Sequence, residues 1–248
     1  MSDRVLHEIT PLMGRDALYI ADRNKKEFAY PIHNHEVYEL NFVENAAGVR
    51  RIVGDSSEII GNYDLVLITS PDLEHVWEQN TCTSKDIREI TIQFKFGLDE
   101  EDVLFEKTPF LSIRNMLKEA QKGLAFPLPA IMKVYNLLTS ISSIDDRFEA
   151  LLQFLRILHI LSIHDGAHAL ATSAYAKVKI EDDSRRVLKV KNYINENYMY
   201  EIKLETLADI ANMSQSAFSR FFKLHTGRTL SDYIIDTRLG YATRMLLD

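Results

Sequence analysis

His33-Asn34-His35, followed by Glu39, is the first stretch of this chain whose residue types and spacing could do chemistry. Side chains alternate along an extended segment, so His33, His35, Val37, Glu39 and Asn41 would project to one face. Two imidazoles and a carboxylate on one face could ligate a divalent metal, with a further ligand from elsewhere. His75, after Pro71-Asp72-Leu73-Glu74, is the natural fourth. The same imidazoles serve as well as hydrogen-bonded groups that merely shape the fold. Trp77, beside His75, offers a flat surface to a sugar or aromatic ring, and it equally fits an ordinary core tryptophan. A second cluster lies far along the chain. At helical spacing, Gln215, Ser216, Ser219, Arg220 and Lys223 fall on one side, opposite Ala217, Phe218, Phe221, Phe222 and His225. A polar and basic helix face of this kind suits contact with DNA, with Arg220 the best candidate because guanidinium can pair bidentately.

These residues need elements to hold them. Residues 1–98 read as β. Tyr38, Leu40 and Phe42 share one face of a strand over 37–43, and Gly54-Asp55 punctuates two strands over 48–53 and 57–60. Residues 63–69 are nearly all apolar, as in a buried strand. Ile90, Ile92, Phe94 and Phe96 alternate with Glu89, Thr91, Gln93 and Lys95. Short strands at close intervals predict a sandwich or barrel. From Thr108 to Ile163 the period turns helical, with one helix from Leu111 ended by Gly123 and Pro127, a second around Ile131–Leu138, and a third over 148–163. Apolar residues nearly surround the third, more than one buried face requires. It is therefore expected to be covered on two sides, either within one bundle or with a second subunit on one side. Residues 165–183, with Asp165-Gly166, Ala, Ser and an acidic run, read as a linker. Residues 184–248 then read as all-helical, with Asp183 or Ser184 capping the first helix.

Within that last part, Leu204, Leu207, Ala208 and Ala211 make one apolar stripe, Asn212-Met213-Ser214 breaks it, and Ser214 is a good N-cap for a second short helix. Gly227 supplies a stop. Two short helices across a tight turn fit a helix-turn-helix, and also a plain bundle hairpin. The letters Ser214-x-x-x-Phe218-Ser219-Arg220-x-Phe222-Lys223-x-x-x-Gly227 closely resemble the first helix-turn-helix of the AraC/XylS-type transcription regulators. Thr229-Leu230-Ser231-Asp232-Tyr233 would open the family's long connecting helix, continued by Ile234, Arg238, Leu239, Ala242 and Leu246-Leu247. The resemblance covers residues 185–248. The family's unit carries a second such motif after the connecting helix. It is missing before Asp248, so a shortened form of the protein is expected.

The first half resembles a cupin barrel over residues 25–96, through His33-x-His35-x-x-x-Glu39 and Pro71-x-x-x-His75. It departs from the metal-enzyme version: Glu27 stands where an upstream Gly would be, and the Pro-to-His element is shortened. Such shortening resembles AraC-type sensor domains. That resemblance implies that His33, His35, Glu39, His75 and Trp77 hold a small effector, a sugar or an aromatic compound, with no metal and no cofactor. If a metal is present, its ligands are His33, His35, Glu39 and His75.

The formal charge of −7 is uneven. Residues 184–248 hold ten Lys/Arg and seven Asp/Glu, a net +3, which leaves −10 for the rest. Only the end of the chain is therefore suited to phosphate. Cys82 is alone, which excludes an intrachain disulfide and fits a reducing cytoplasm. No membrane span, signal segment, P-loop, Gly-x-Ser-x-Gly or cysteine pair for zinc is present in the sequence.

The expected architecture is thus α+β with two domains. A cupin-like β-barrel (1–98) with a helical dimerisation segment (99–164) is followed by a linker (165–183) and an all-α helix-turn-helix unit (184–248). The expected function is that of a cytoplasmic, homodimeric, effector-responsive DNA-binding transcription regulator, not an enzyme. The alternatives are a metal-dependent cupin enzyme and an interaction protein that lacks the second reader motif and does not bind DNA.

Overall fold

The computed structural model describes residues 5–12, 16–98, 102–172, 181–226 and 229–247, and the chain divides into two compact units. In the first unit, β1 (Leu6–His7), β2 (Leu18–Lys25), β3 (His33–Asn34), β4 (Tyr38–Glu44), β5 (Arg50–Val53), β6 (Ser56–Ile59), β7 (Tyr63–Ile68), β8 (His75–Glu78) and β9 (Ile87–Phe94) come first. Helix α1 (Leu111–Glu119), strand β10 (Leu124–Ala125), helices α2 (Leu128–Ser140) and α3 (Arg147–Ser162), and strand β11 (His168–Ala169) follow. The strands form a five-stranded sheet, β1-β3-β8-β5-β6, and a six-stranded sheet, β11-β10-β7-β4-β9-β2.

Both faces of the six-stranded sheet are covered. Leu40 and Phe42 of β4, Leu65 and Leu67 of β7, and Ile90, Ile92 and Phe94 of β9 pack with Ile113, Leu117, Val134, Leu138, Phe154 and Leu158 of the helices. Val43, Val66 and Ile68 on the opposite face join Val53, Leu73 and Trp77 in a second core shared with the five-stranded sheet. The polar half of β9 is therefore an interior face. Glu89, Thr91 and Gln93 are all buried, although alternation alone reads as a solvated side.

Asp146 caps α3 by accepting hydrogen bonds from the amides of Phe148 (2.8 Å) and Glu149 (3.0 Å). The apolar surplus of α3 is real but narrower than its sequence suggests. Phe154, Ile157, Leu158 and Leu161 lie in the unit's own core, whereas Phe148 and Leu152 are exposed.

Two boundaries differ from expectation. The sheet does not end at residue 98, because β10 pairs with both β7 and β11. Nor are residues 165–172 a linker. Beyond β11, the amide of Leu170 donates to the Gly123 carbonyl (2.9 Å) and that of Ala171 to the Lys122 carbonyl (2.8 Å). Asp55 then takes the amide and hydroxyl of Thr172 at 2.8 and 2.6 Å. Gly123 is required where this strap crosses. Its φ is +68°, and a Cβ there would stand 2.7 Å from Val53. Two-residue strands carry no period, so nothing in the pattern separates this strap from a linker. The remaining linker residues, 173–180, lie outside the described residues.

The second unit comprises α4 (Glu181–Asn197), α5 (Leu204–Ile210), α6 (Gln215–Thr226) and α7 (Leu230–Leu247). Helix α4 begins at Glu181, so Asp183 and Ser184 stand inside it rather than at its cap. Val190, Ile194, Leu207, Ala208, Ala211, Phe218, Phe222 and Tyr233 form its core. Thr229 and Asp232 cap α7 reciprocally, the Asp232 amide donating to the Thr229 hydroxyl (3.2 Å) and that hydroxyl to the Asp232 carboxylate (2.7 Å). Gly227 and the side chains of His225, Ala242, Leu246 and Leu247 lie outside the described residues.

Candidate functional site

The chain bends between β3 and β4, and this bend assembles the first cluster by a route other than a single strand face. His33 belongs to the five-stranded sheet, opposite His75 of β8, whereas Glu39 belongs to the six-stranded sheet, opposite Gln93 of β9. The two inner faces bring His33, His35, Glu39 and His75 together. The three imidazoles offer ligand atoms within 4.8 Å of one another.

Each ring is oriented by the backbone. Nδ1 of His33 donates to the Pro31 carbonyl at 3.0 Å, Nδ1 of His35 to Val37 at 2.9 Å, and Nδ1 of His75 to Leu73 at 2.9 Å. A carbonyl can only accept, so these bonds fix the proton on Nδ1 and turn every Nε2 inward. Rings held in this way suit ligation of a divalent transition ion, with Glu39 as the oxygen donor.

The charges follow from burial. Desolvation depresses His75 to about 3, helped by the neighbouring imidazoles, and it also lowers His33. Burial pulls His35 in the same direction, but Glu39, its Nε2 partner at 3.0 Å, prevails and raises it. Burial alone would raise Glu39; His35 instead holds it well below the usual carboxylate range. The pair is thus an imidazolium against a carboxylate. Glu39 is also the acceptor for two amides, Asn41 Nδ2 at 3.3 Å and Gln93 Nε2 at 3.1 Å.

Beside this group lies a cavity of about 310 Å³, lined among others by Glu8, Tyr19, Phe28, Tyr30, His33, Glu39, Asn41, Trp77 and Gln93. His35 and His75 stand behind its wall. Trp77 lines the cavity and is also buried, with its indole N–H donated to Asp64 at 3.1 Å. Asp64 is held in turn by Arg51, which also binds Glu58 at 2.6 Å. The wall residue is therefore fixed by a buried ion pair. At the other side Glu89 is paired with Lys25, and with Arg23 at 3.9 Å.

The sequence pattern groups His33, His35, Glu39, His75 and Trp77 and sets Asn41 on the same face without a role, but misses Gln93, Glu89, Glu8 and Tyr30 as lining; His35 and His75 do not line the cavity. The missed signal was the polar half of the β9 alternation. Glu8 and Tyr30, on either side of β2, carried no pattern.

The second cluster lies in the other unit. Asn212, at φ +53°, makes the turn between α5 and α6, and the Met213 amide closes it on the Ala208 carbonyl at 2.9 Å. The Ser214 hydroxyl accepts from the Ala217 amide at 3.4 Å. Phe218 and Phe222 point into the core, so Gln215, Ser216, Ser219, Arg220 and Lys223 are all exposed on the far side of α6. Arg238 of α7 donates to the carbonyls of Tyr198 (2.8 Å) and Tyr200 (2.9 Å), which ties α7 to the end of α4.

Residues 194–234 match the family of bacterial regulatory helix-turn-helix proteins, AraC family. Across 259 residues, 98 % of this chain and 83 % of the relative, the chain is 21 % identical to the HTH-type transcriptional activator RhaS of Enterobacter sp. (strain 638). Among solved structures, ToxT from Vibrio cholerae in its P21 form overlays loosely, with a TM-score of 0.39 and 12 % identity over 89 % of this chain and 99 % of that one. An unsaturated fatty acid bound form of ToxT gives a TM-score of 0.41 and 12 % identity over 88 % and 94 % of the two chains.

Proposed function

We propose, for a chain that carries a helix-turn-helix of the AraC family over residues 194–234, that it is a cytoplasmic one-component transcription regulator, not an enzyme. In this reading the first unit is a cupin-like sensor, and a small molecule in its cavity biases the DNA-binding unit. The observation that carries the reading is the exposed polar and basic side of α6, held by a core of Phe218 and Phe222. An effector acts only to the extent that it binds two arrangements of the protein unequally. The metal-dependent enzyme is the less favoured alternative, because the relative is a transcriptional activator. Among the described residues no helix is long and apolar enough to cross a membrane.

The test is a salt-dependent titration of the chain against duplexes selected from a random pool. Lys223→Ala is expected to lower the salt slope by about 0.9, the release of one counterion. Arg220→Ala is expected to weaken binding roughly 5–150-fold and relax preference at one base pair. Undiminished binding by the double variant would remove α6 from the interface.

A homodimer belongs to the same proposal, supported by the exposed Phe148 and Leu152, one turn apart on α3. Leu158, by contrast, is fully buried within its own unit, so it cannot report on association. Leu152→Glu is expected to leave a folded monomer where the wild type sediments as a dimer at tens of micromolar, roughly −6 kcal/mol of association. A wild type that sediments as a monomer at that concentration would refute the idea.

A further inference from the structure

Among the described residues, the buried side-chain polar atoms without a hydrogen-bond partner are His35 Nε2, His75 Nε2, Asn41 Oδ1 and Gln93 Oε1, and all four belong to this one site. The His35 atom faces Glu39 at 3.0 Å and is answered by the ion pair. The other three share one character. His75 Nε2 accepts, because Nδ1 carries the ring proton toward Leu73. Asn41 and Gln93 cannot be turned round, because each gives its NH2 to Glu39, which only accepts. Their carbonyl oxygens are thereby committed to the other side, and both residues line the cavity.

Charge points the same way. Glu89 has Lys25, and Glu39 has His35. The third lining carboxylate, Glu8, accepts from the Tyr30 hydroxyl and, among the described residues, has only His33 within ion-pairing reach, at 3.6 Å. The Phe28, Tyr30 and Trp77 rings complete the wall. A buried acceptor without a donor is costly, and a ligand bringing acceptors of its own would add to that cost. Ammonium and guanidinium groups bring donors only, and aromatic faces attract them.

We propose that the cavity takes a small molecule bearing an ammonium or guanidinium group, held by the Glu8 carboxylate and the side-chain oxygens of Asn41 and Gln93. At ~30 Å³ for each water-sized group, the volume admits on the order of ten non-hydrogen atoms. The assignment rests on reading the cavity as the effector site, and it names the chemistry of that effector.

The full chain is titrated calorimetrically with agmatine, which carries both groups, and in parallel with xylitol, hexanoate and zinc chloride. Agmatine is expected to saturate at one per chain. Glu8→Gln and Gln93→Met should each weaken it about tenfold or more, about 1.4 kcal/mol, with the melting profile of each variant recorded alongside. Glu8→Gln, at a side chain less buried than Gln93, keeps the test decisive if Gln93→Met does not fold. Saturation by xylitol or hexanoate without agmatine overturns the ammonium assignment and leaves the effector site standing. A zinc ion that agmatine does not displace overturns it in favour of a metal centre, as does agmatine binding equally well to both variants. No binding by any probe overturns the assignment and the effector site together, while DNA binding is read separately through Arg220.

Discussion

Phe222→Ala is expected to unfold the second unit and abolish DNA binding. The ring is fully buried, 5.6 Å from Phe218 and edge-on to Tyr233 at 5.4 Å, so it joins α6 to α7. Truncating such a ring costs ~3–5 kcal/mol, because the lost transfer energy is compounded by the cavity left behind. A unit spanning Val178–Asp248 has, at typical stabilities per residue, on the order of 4–10 kcal/mol to lose. The loss is therefore comparable with the whole. Thermal unfolding followed by circular dichroism should show a helical transition missing or shifted far down, with the transition of the first unit unmoved. Arg220→Ala, on the exposed side of the same helix, should leave both transitions in place. Wild-type melting of Phe222→Ala would mean that α6 does not depend on this core.

Glu39→Ala should be the most damaging single change in the first unit. Its carboxylate is the common acceptor of Asn41, Gln93 and His35, and all four residues are buried. Without it, two NH2 groups lose their acceptor and the buried His35 ring, no longer held charged, loses its partner. Breaking a buried pair by removing one partner typically costs ~3–5 kcal/mol. Trp77, the single tryptophan, lines the adjoining cavity and reports the transition by fluorescence during urea unfolding. Glu39→Gln preserves shape but turns one acceptor into a fourth donor, so a smaller loss is expected. A loss for Glu39→Ala below about 1 kcal/mol, the typical net worth of one neutral hydrogen bond, would contradict the shared-acceptor arrangement.

What the sequence disclosed follows from how each feature is encoded. The apolar half of β9 and the stripe of α5 repeat at the period of their element, and that repetition is readable. The polar half of β9 repeats just as well. Its meaning depends on the five-stranded sheet lying opposite, and no local pattern records that. His33 and Glu39 were expected together on one strand face. They meet because the chain bends between them and the sheets face each other, so the cluster arises from a different geometry. The turn of the helix-turn-helix was legible because Asn212 and Ser214 do local jobs, a left-handed backbone and an N-cap. Glu8 was not, because a two-residue parallel pairing of β1 with β3 brings it to the cavity. The α3 surplus was overread: Leu158 serves its own unit, and only the Phe148–Leu152 side is spare.

The strap through β11 bears on how the first unit could be isolated. A fragment ended at residue 164, where the helical pattern stops, would lack β11 and leave β10 as the outermost strand. Leu124 and Ala125 are both buried in the intact unit. Their unpaired backbone would then offer a template to other chains, and Leu170 and Ala171 would no longer cover the core around Val53 and Leu73. Such a fragment would be prone to self-association for a reason unrelated to any native dimer contact. A fragment that keeps Thr172 keeps the amide and hydroxyl that close the strap on Asp55.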